Sequence, residues 1–285
     1  IHVVDISGRT NELGEPTEEH DPEEDILFLE DEIDCWFTAI IERNWRKVEN
    51  KVLMEGKDLV KELAGILAGL GIKEGHVKQA VKESDFGGKE KPSSGEISSF
   101  ARTLRKNSKP IVIAGNKIDV DKNGNFERLK EKYQIVPCCA EAELALRQAD
   151  AKGFIEYIAG EKDFGVLQEQ DEKHAKALDF IKKIIEKHES TGVQECLNKA
   201  VFENLGYLVA YPVENENHYS DKKGNVLPDS HLLPPGSNAL DLAYTVHSDI
   251  GDHFIGAIDC ASKMKVGREH ELKDGDVIKI LTSRK

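Results

Sequence analysis

Asn116-Lys117-Ile118-Asp119 is the group of side chains in this sequence best suited to chemistry. It follows the β-branched run Ile111-Val112-Ile113, bounded by Pro110 and Gly115, which reads as a buried parallel strand over Ile111–Ala114. Open α/β sheets bind ligands at the carboxyl ends of such strands. A carboxylate at Asp119 accepts two parallel hydrogen bonds, and a guanine edge offers that pair through its ring N1–H and exocyclic amine. Adenine lacks the pair and would leave the carboxylate desolvated and unsatisfied. Asn116 can give its amide to the purine N7, and the Lys117 methylenes can lie along the base with the charge outside. The pattern therefore predicts a guanine nucleotide, GTP or GDP. The competing reading is a polar turn in which Asp119 caps a helix.

Such a turn needs a sheet to hold it. Ile1–Val4, stopped by Asp5 and Gly8, reads as a strand, and QIVPCCA (134–140) as another buried one. AEAELALRQAD (140–150) reads as a helix, so strands and helices alternate as in an open α/β sheet. Residues 26–106 instead read as a helical block without strands. Ile26, Leu29, Ile33, Trp36, Phe37, Ile40 and Ile41 stand at helical spacing, and the pattern runs from Trp45 to Leu70 before Gly69 and Gly71 stop it. A short helix over 74–84, a loop at FGGKEKPSSGE and a helix carrying Ile97, Phe100, Ala101 and Leu104 complete the block. Further on come a charged amphipathic helix over 170–188, a helix from Val193 to Leu205 and a strand in YLVAYPVE. A tail of short strands and turns follows, with one short helix around Asn238–Ser248 starting near Ser237 as N-cap. The change of character places a domain boundary near 215–225.

The 285 residues suffice for about two domains. Lys plus Arg number 39 and Asp plus Glu 53, a net charge of −14, which argues against binding nucleic acid by bulk charge. No run of 18 apolar residues is present, so no membrane partner is expected, and the start of the chain has no signal-peptide pattern. The five cysteines show no CxxC, and His231, His247 and His253 have no ligand spacing, so neither a disulfide framework nor a metal site is expected and a reducing cytoplasm is. Cys138-Cys139 could be read as a redox pair, but no Lys, Arg or His flanks it to lower a thiol pKa. Residues 11–34 hold twelve Asp or Glu and no Lys or Arg. They read as a solvated helix face and loop, with a cation or partner site as the sharper alternative.

The stretches IHVVDISGRTNELGEPTEEHDPEEDILFLEDEIDCW, IVIAGNKIDV and ECLNKAVFENLGYLVAYPV, together with the tail, resemble the archaeal branch of the YchF/Obg-related GTPases over essentially the whole chain. The tail, most specifically PPGSNALDLAYTVHSDIG and HELKDGDVIKI, resembles a TGS domain. The resemblance implies an α/β fold: an incomplete Ras-like P-loop G domain at 1–25 and 107–220, an inserted helical hairpin domain at 26–106, and a β-grasp (ubiquitin-like) TGS domain at 221–285. It implies GTP or ATP hydrolysis with Mg2+ and association with ribosomes. The complete Asn116, Lys117 and Asp119 favour GTP. In such proteins a small pair after the next strand brings a backbone N–H to the guanine O6. That place is taken here by Cys139-Ala140, with Cys where Ser is usual; a small pair buried where strand meets helix is the other reading.

No GxxxxGK[ST] occurs. In full members the P-loop, the switch-I threonine and the DxxG lie upstream of Ile1, and Asp5–Gly8 reads as the end of the following strand. The chain is thus expected to be a fragment without catalytic residues or Mg2+ ligands of its own. Lys263, Lys265 and Arg268 are candidates for contact with RNA phosphates, against a solvated turn. The alternative function is a non-enzymatic ribosome- or RNA-binding module that uses the helical and TGS domains. A monomer is expected.

Overall fold

The strand that carries Asn116 lies in the middle of a small parallel sheet. The computed structural model describes residues 1–11, 13–17, 20–89, 91–168 and 171–283. They form two units, Ile1–Leu197 and Asn198–Lys285.

In the first unit β1 (His2–Asp5) leads into α1 (Pro22–Glu55), α2 (Leu59–Leu67), α3 (Glu74–Glu83) and α4 (Ser94–Ser108). Then follow β2 (Ile113–Asn116), α5 (Asn125–Leu129), β3 (Ile135–Pro137), α6 (Ala140–Ala151), the two-residue strands β4 (Ile155–Glu156) and β5 (Gly165–Val166), α7 (Glu172–His188) and α8 (Val193–Asn198). The sheet has the order β1-β2-β3, with Val3 opposite Ala114, Asp5 opposite Asn116 and Ala114 opposite Val136 in parallel register. The strand starts two residues later than the β-branched run suggested, so Asn116 is itself its last residue. Val4, Ile113, Ile135, Ala142, Leu146 and Ile184 share the core around the sheet.

Helices α1–α4 lie in sequence between the paired strands β1 and β2 and bury a separate core around Phe37, Phe86, Phe100 and Leu104. The block contains no strand among its described residues, as expected. Its break differs from expectation: α1 ends at Gly56, in the left-handed region at φ 64°, where the cap N–H reaches the Lys51 carbonyl. Asp58 then caps α2 by accepting from the Lys61 N–H at 2.9 Å. Apolar residues recur on either side, Val52 and Leu53 before and Leu59 and Val60 after, and mask this turn. The acidic run is only partly a solvated face, and Glu12, Glu18 and Glu19 lie outside the described residues. Asp21 caps α1 and pairs with Arg128. Glu23 takes Arg128, Lys132 and the Tyr133 hydroxyl, and Tyr133 is pushed up to about 12 by burial and by that carboxylate. Asp34 is buried and held by Arg105 at 2.8 Å and Arg102 at 3.0 Å.

In the second unit β6 (Leu208–Val213) and β7 (His231–Leu233) precede α9 (Ala239–Val246), α10 (Ser248–Asp252), β8 (Phe254–Asp259), β9 (Met264–Val266) and β10 (Asp276–Thr282). The sheet order is β7-β6-β10-β8-β9, with β6 and β10 parallel and the other pairs antiparallel. Ala239, Leu242 and Ala243 of α9 pack with Leu208, Ala210, Ala257 and Ile278, a β-grasp. The cap of α9 is Asn238, whose side chain accepts from the Leu240 and Asp241 N–H groups while Asp241 returns a contact to the Asn238 N–H. Ser237 is not that cap, because its hydroxyl donates to the Pro234 carbonyl at 2.8 Å. No helix among the described residues is long and apolar enough to cross a membrane.

Candidate nucleotide-base site

Three backbone segments of the first unit meet at the carboxyl end of its sheet. The Ile118 N–H donates to the Cys138 carbonyl at 3.1 Å, and the Cys138 N–H to the Gly115 carbonyl at 2.9 Å, tying the turn after β2 to the one after β3. The Cys139 N–H donates to the Thr191 carbonyl at 2.9 Å, bringing in the turn before α8. Gly192 makes this approach possible. Its φ is 81°, and a Cβ there would sit 1.9 Å from the Pro137 carbonyl oxygen.

On this frame Asn116, Lys117, Asp119, Cys139 and Ala140 lie together. The Asn116 Oδ1 accepts from the Ala140 N–H at 3.0 Å. The Cys139 thiol donates to Asp119 Oδ1 at 3.3 Å. Burial above all, and then the hydrogen bond to Asp119, push the Cys139 thiol up to about 11 against the backbone N–H of Ala142, so it stays protonated and able to donate at neutral pH. Lys117 occupies the left-handed region at φ 63°, a conformation that costs a residue other than glycine about 1–3 kcal/mol. Its ammonium reaches Asp5 Oδ2 at 2.6 Å. Asp5 also accepts from the Thr10 and Ser7 hydroxyls, both at 2.5 Å, and from the Ser7 N–H at 3.1 Å. Burial works against the Asp5 charge, but the donations from Lys117, Ser7 and Thr10 outweigh it and hold the carboxyl below its usual range. Asp119 lies inside the short turn Ile118–Val120, whose cap residue is Lys117 and lacks a side-chain cap contact.

Asp119, Cys139, Glu141, Ala142, Phe180 and Ile184 line a cleft of about 230 Å3. A larger one of about 540 Å3 is lined by Ser7, Arg9, Thr17, Val120, Lys122 and Asn123. Cys138 does not pair with Cys139. Its sulfur lies 3.4 Å from that of Cys196, and that thiol contact, with burial, raises its pKa strongly, the opposite of an activated thiol.

Motif reading missed a buried carboxylate beneath the site. Glu143, on the first turns of α6, is 4% exposed. It accepts from the Thr191 hydroxyl at 2.5 Å, the Tyr157 hydroxyl at 2.8 Å and Arg147 Nε at 2.5 Å. Burial opposes its charge, and the three donors together hold it below the usual carboxylate range. Its partners Tyr157 and Thr191 lie 14 and 48 positions away, so no local pattern pointed to it.

The candidate RNA-contact residues lie in the second unit. Lys265 is exposed on β9, and Arg268 is exposed in the turn that follows. Lys263 is committed internally: its ammonium donates to the Glu216 carbonyl and lies 5.3 Å from the centre of the Tyr219 ring.

Residues 114–215 match the family described as Obg-like GTPase YGR210-like, G4 motif-containing domain, and residues 217–282 match the TGS domain. An uncharacterized GTP-binding protein of Methanocaldococcus jannaschii is 45% identical over 294 residues, covering all of this chain and 73% of the relative. The crystal structure of a GTP binding protein from Pyrococcus horikoshii OT3 superposes with a TM-score of 0.76 at 38% identity, over 99% of this chain and 78% of the other. The Schizosaccharomyces pombe YchF GTPase, at 14% identity and a TM-score of 0.54 over 98% of this chain and 71% of the other, shares the fold. Because the Methanocaldococcus relative is 45% identical over the whole chain and both family matches fall within it, the chain belongs to the Obg-like GTPases of the YGR210-like type and carries a TGS domain.

Proposed function

We propose that the chain binds a guanine nucleotide, with Asn116, Lys117, Asp119, Cys139 and Ala140 as its base-recognition site. The carrying observation is the convergence of the turns after β2 and β3, which puts the Asp119 carboxylate, the Asn116 amide and the Ala140 N–H at one sheet end. Asp119 accepts the N1–H and the amine of guanine. Asn116 donates to N7. The Ala140 N–H turns from Asn116 Oδ1 to the base O6, and the Lys117 stem, fixed by Asp5, covers one face of the base. The relatives named as GTP-binding proteins support this reading.

GTP hydrolysis is the reaction proposed for the family's whole protein, in the cytoplasm. Mg2+ would belong to that triphosphate chemistry. Among the described residues no three His, Cys, Asp or Glu side chains gather to hold a cation. A monomer acting on the ribosome is the proposed working form. The second reading, a ribosome- or RNA-binding module, rests on exposed Lys265 and Arg268.

Calorimetric titration of the 285-residue chain with GDP, GTP and ADP tests the reading. Guanine-selective binding that Asp119→Ala removes is the expected result. Equal binding of ADP and GDP, or none, refutes it.

A further inference from the structure

Glu143 is a buried carboxylate with three donors, and none of them is a ligand. Two of its partners come from distant sequence: Tyr157 from the turn after β4, and Thr191 from the turn before α8. Thr191 is the same residue whose carbonyl receives the Cys139 N–H at 2.9 Å. Cys139 in turn precedes Ala140, whose N–H is the proposed donor to O6, and supplies the thiol that touches Asp119. One carboxylate thus fixes the residue that fixes the base loop. The approach is close: a Cβ at Gly192 would sit 1.9 Å from the Pro137 carbonyl oxygen.

We propose that Glu143 is a positioning residue for guanine recognition: by holding Thr191 it sets the place of the Cys139-Ala140 loop and so aims the Ala140 N–H at the base O6. The proposal rests on the base-site reading above. A buried, fully paired carboxylate suits the task, since its charge-assisted bonds are short and directional. A neutral side chain of the same shape would leave one donor of the network misdirected.

The loop's effect is separable from the fold's by changing the ligand. 6-Thioguanosine diphosphate keeps the N1–H, the amine and N7, and places a weakly accepting sulfur where O6 stands. The 285-residue chain is titrated with GDP, 6-thio-GDP and ADP at up to millimolar concentration. The parent is expected to favour GDP over 6-thio-GDP by about five-fold, the worth of one net hydrogen bond. In Glu143→Gln and in Thr191→Val that ratio is expected to fall towards one, with 6-thio-GDP binding within about two-fold of the parent. Thr191→Ser, which keeps the hydroxyl, is expected to restore the parent ratio. Far-UV circular dichroism reports whether each variant is folded; if Glu143→Gln is not, the Thr191 pair decides. A five-fold ratio that persists in the folded variants, or equal losses for both nucleotides, overturns the positioning role. A parent chain with no preference for GDP over ADP overturns the base-site reading itself, and the inference with it.

Discussion

Asp119 discriminates by what its side chain can accept, so changing it from acceptor to donor changes the preferred base. In Asp119→Asn the amide donates where guanine also donates, and xanthine, with a carbonyl at C2, becomes the complement. Titration with xanthosine and guanosine diphosphates is expected to show the preference inverted by about ten-fold or more. Asp5 gives a second test, through pH. Its folded pKa lies below the ordinary value of 3.8. Its contribution to stability is therefore complete above the unfolded pKa and is lost as the pH falls through 3.8 and below. Urea unfolding of the parent is expected to weaken over that window, and Asp5→Asn to flatten this part of the profile. At this scale the sequence shows Asn116, Lys117 and Asp119 because they form one short motif. Asp5 was legible only as a strand end, since its partner Lys117 is 112 positions away. Glu143 and Thr191, 48 apart, carry no local signal at all.

Elements show the same division between local and non-local causes. The four helices of the inserted block follow from apolar spacing and caps, which are local. The break at Gly56 was missed because apolar residues recur on both sides of it. Strands β4 and β5 were missed because two residues show no alternation. The onset of β2 at Ile113 is set by pairing with His2 and Ile135 rather than by β-branching. Two substitutions test what holds the elements. Gly192→Ala forces a side chain into the left-handed region and onto the Pro137 carbonyl, and is expected to cost about 3 kcal/mol or more in urea unfolding. Asp34→Ala removes the nearer partner of the Arg105 guanidinium, which is 2% exposed and keeps Glu30 at 3.5 Å, and is expected to cost about 3 kcal/mol. The acidic run around Asp34 looked like surface because composition does not reveal which carboxylate finds a buried arginine.

The whole molecule is built from two units, Ile1–Leu197 and Asn198–Lys285, while the change of character near 215–225 falls where the two family matches meet, at 215 and 217. Strand β6 begins at Leu208 and pairs with β10, Ala210 lying opposite Asp276. A parallel partner so far along the chain cannot be seen in a local pattern, so the second unit takes in residues from Asn198 onward. Ala210, Leu233, Leu242, Ala243, Ala257 and Ile278 form a core drawn wholly from within it, and its five-stranded sheet exceeds the three strands that independent stability requires. Residues 198–285 alone are therefore expected to unfold cooperatively, with a stability of about 4 kcal/mol or more. Asn238→Ala removes the α9 cap and is expected to lower that value by about 1 kcal/mol, whereas a polypeptide starting at 221 loses β6 and with it the strand between β7 and β10, and is expected not to fold. Urea titrations of the three polypeptides, followed by circular dichroism, decide the matter. A cooperative transition in the 221–285 polypeptide would show that β6 is dispensable and that the boundary lies where the composition changes, while its loss would place β6 inside the folding unit.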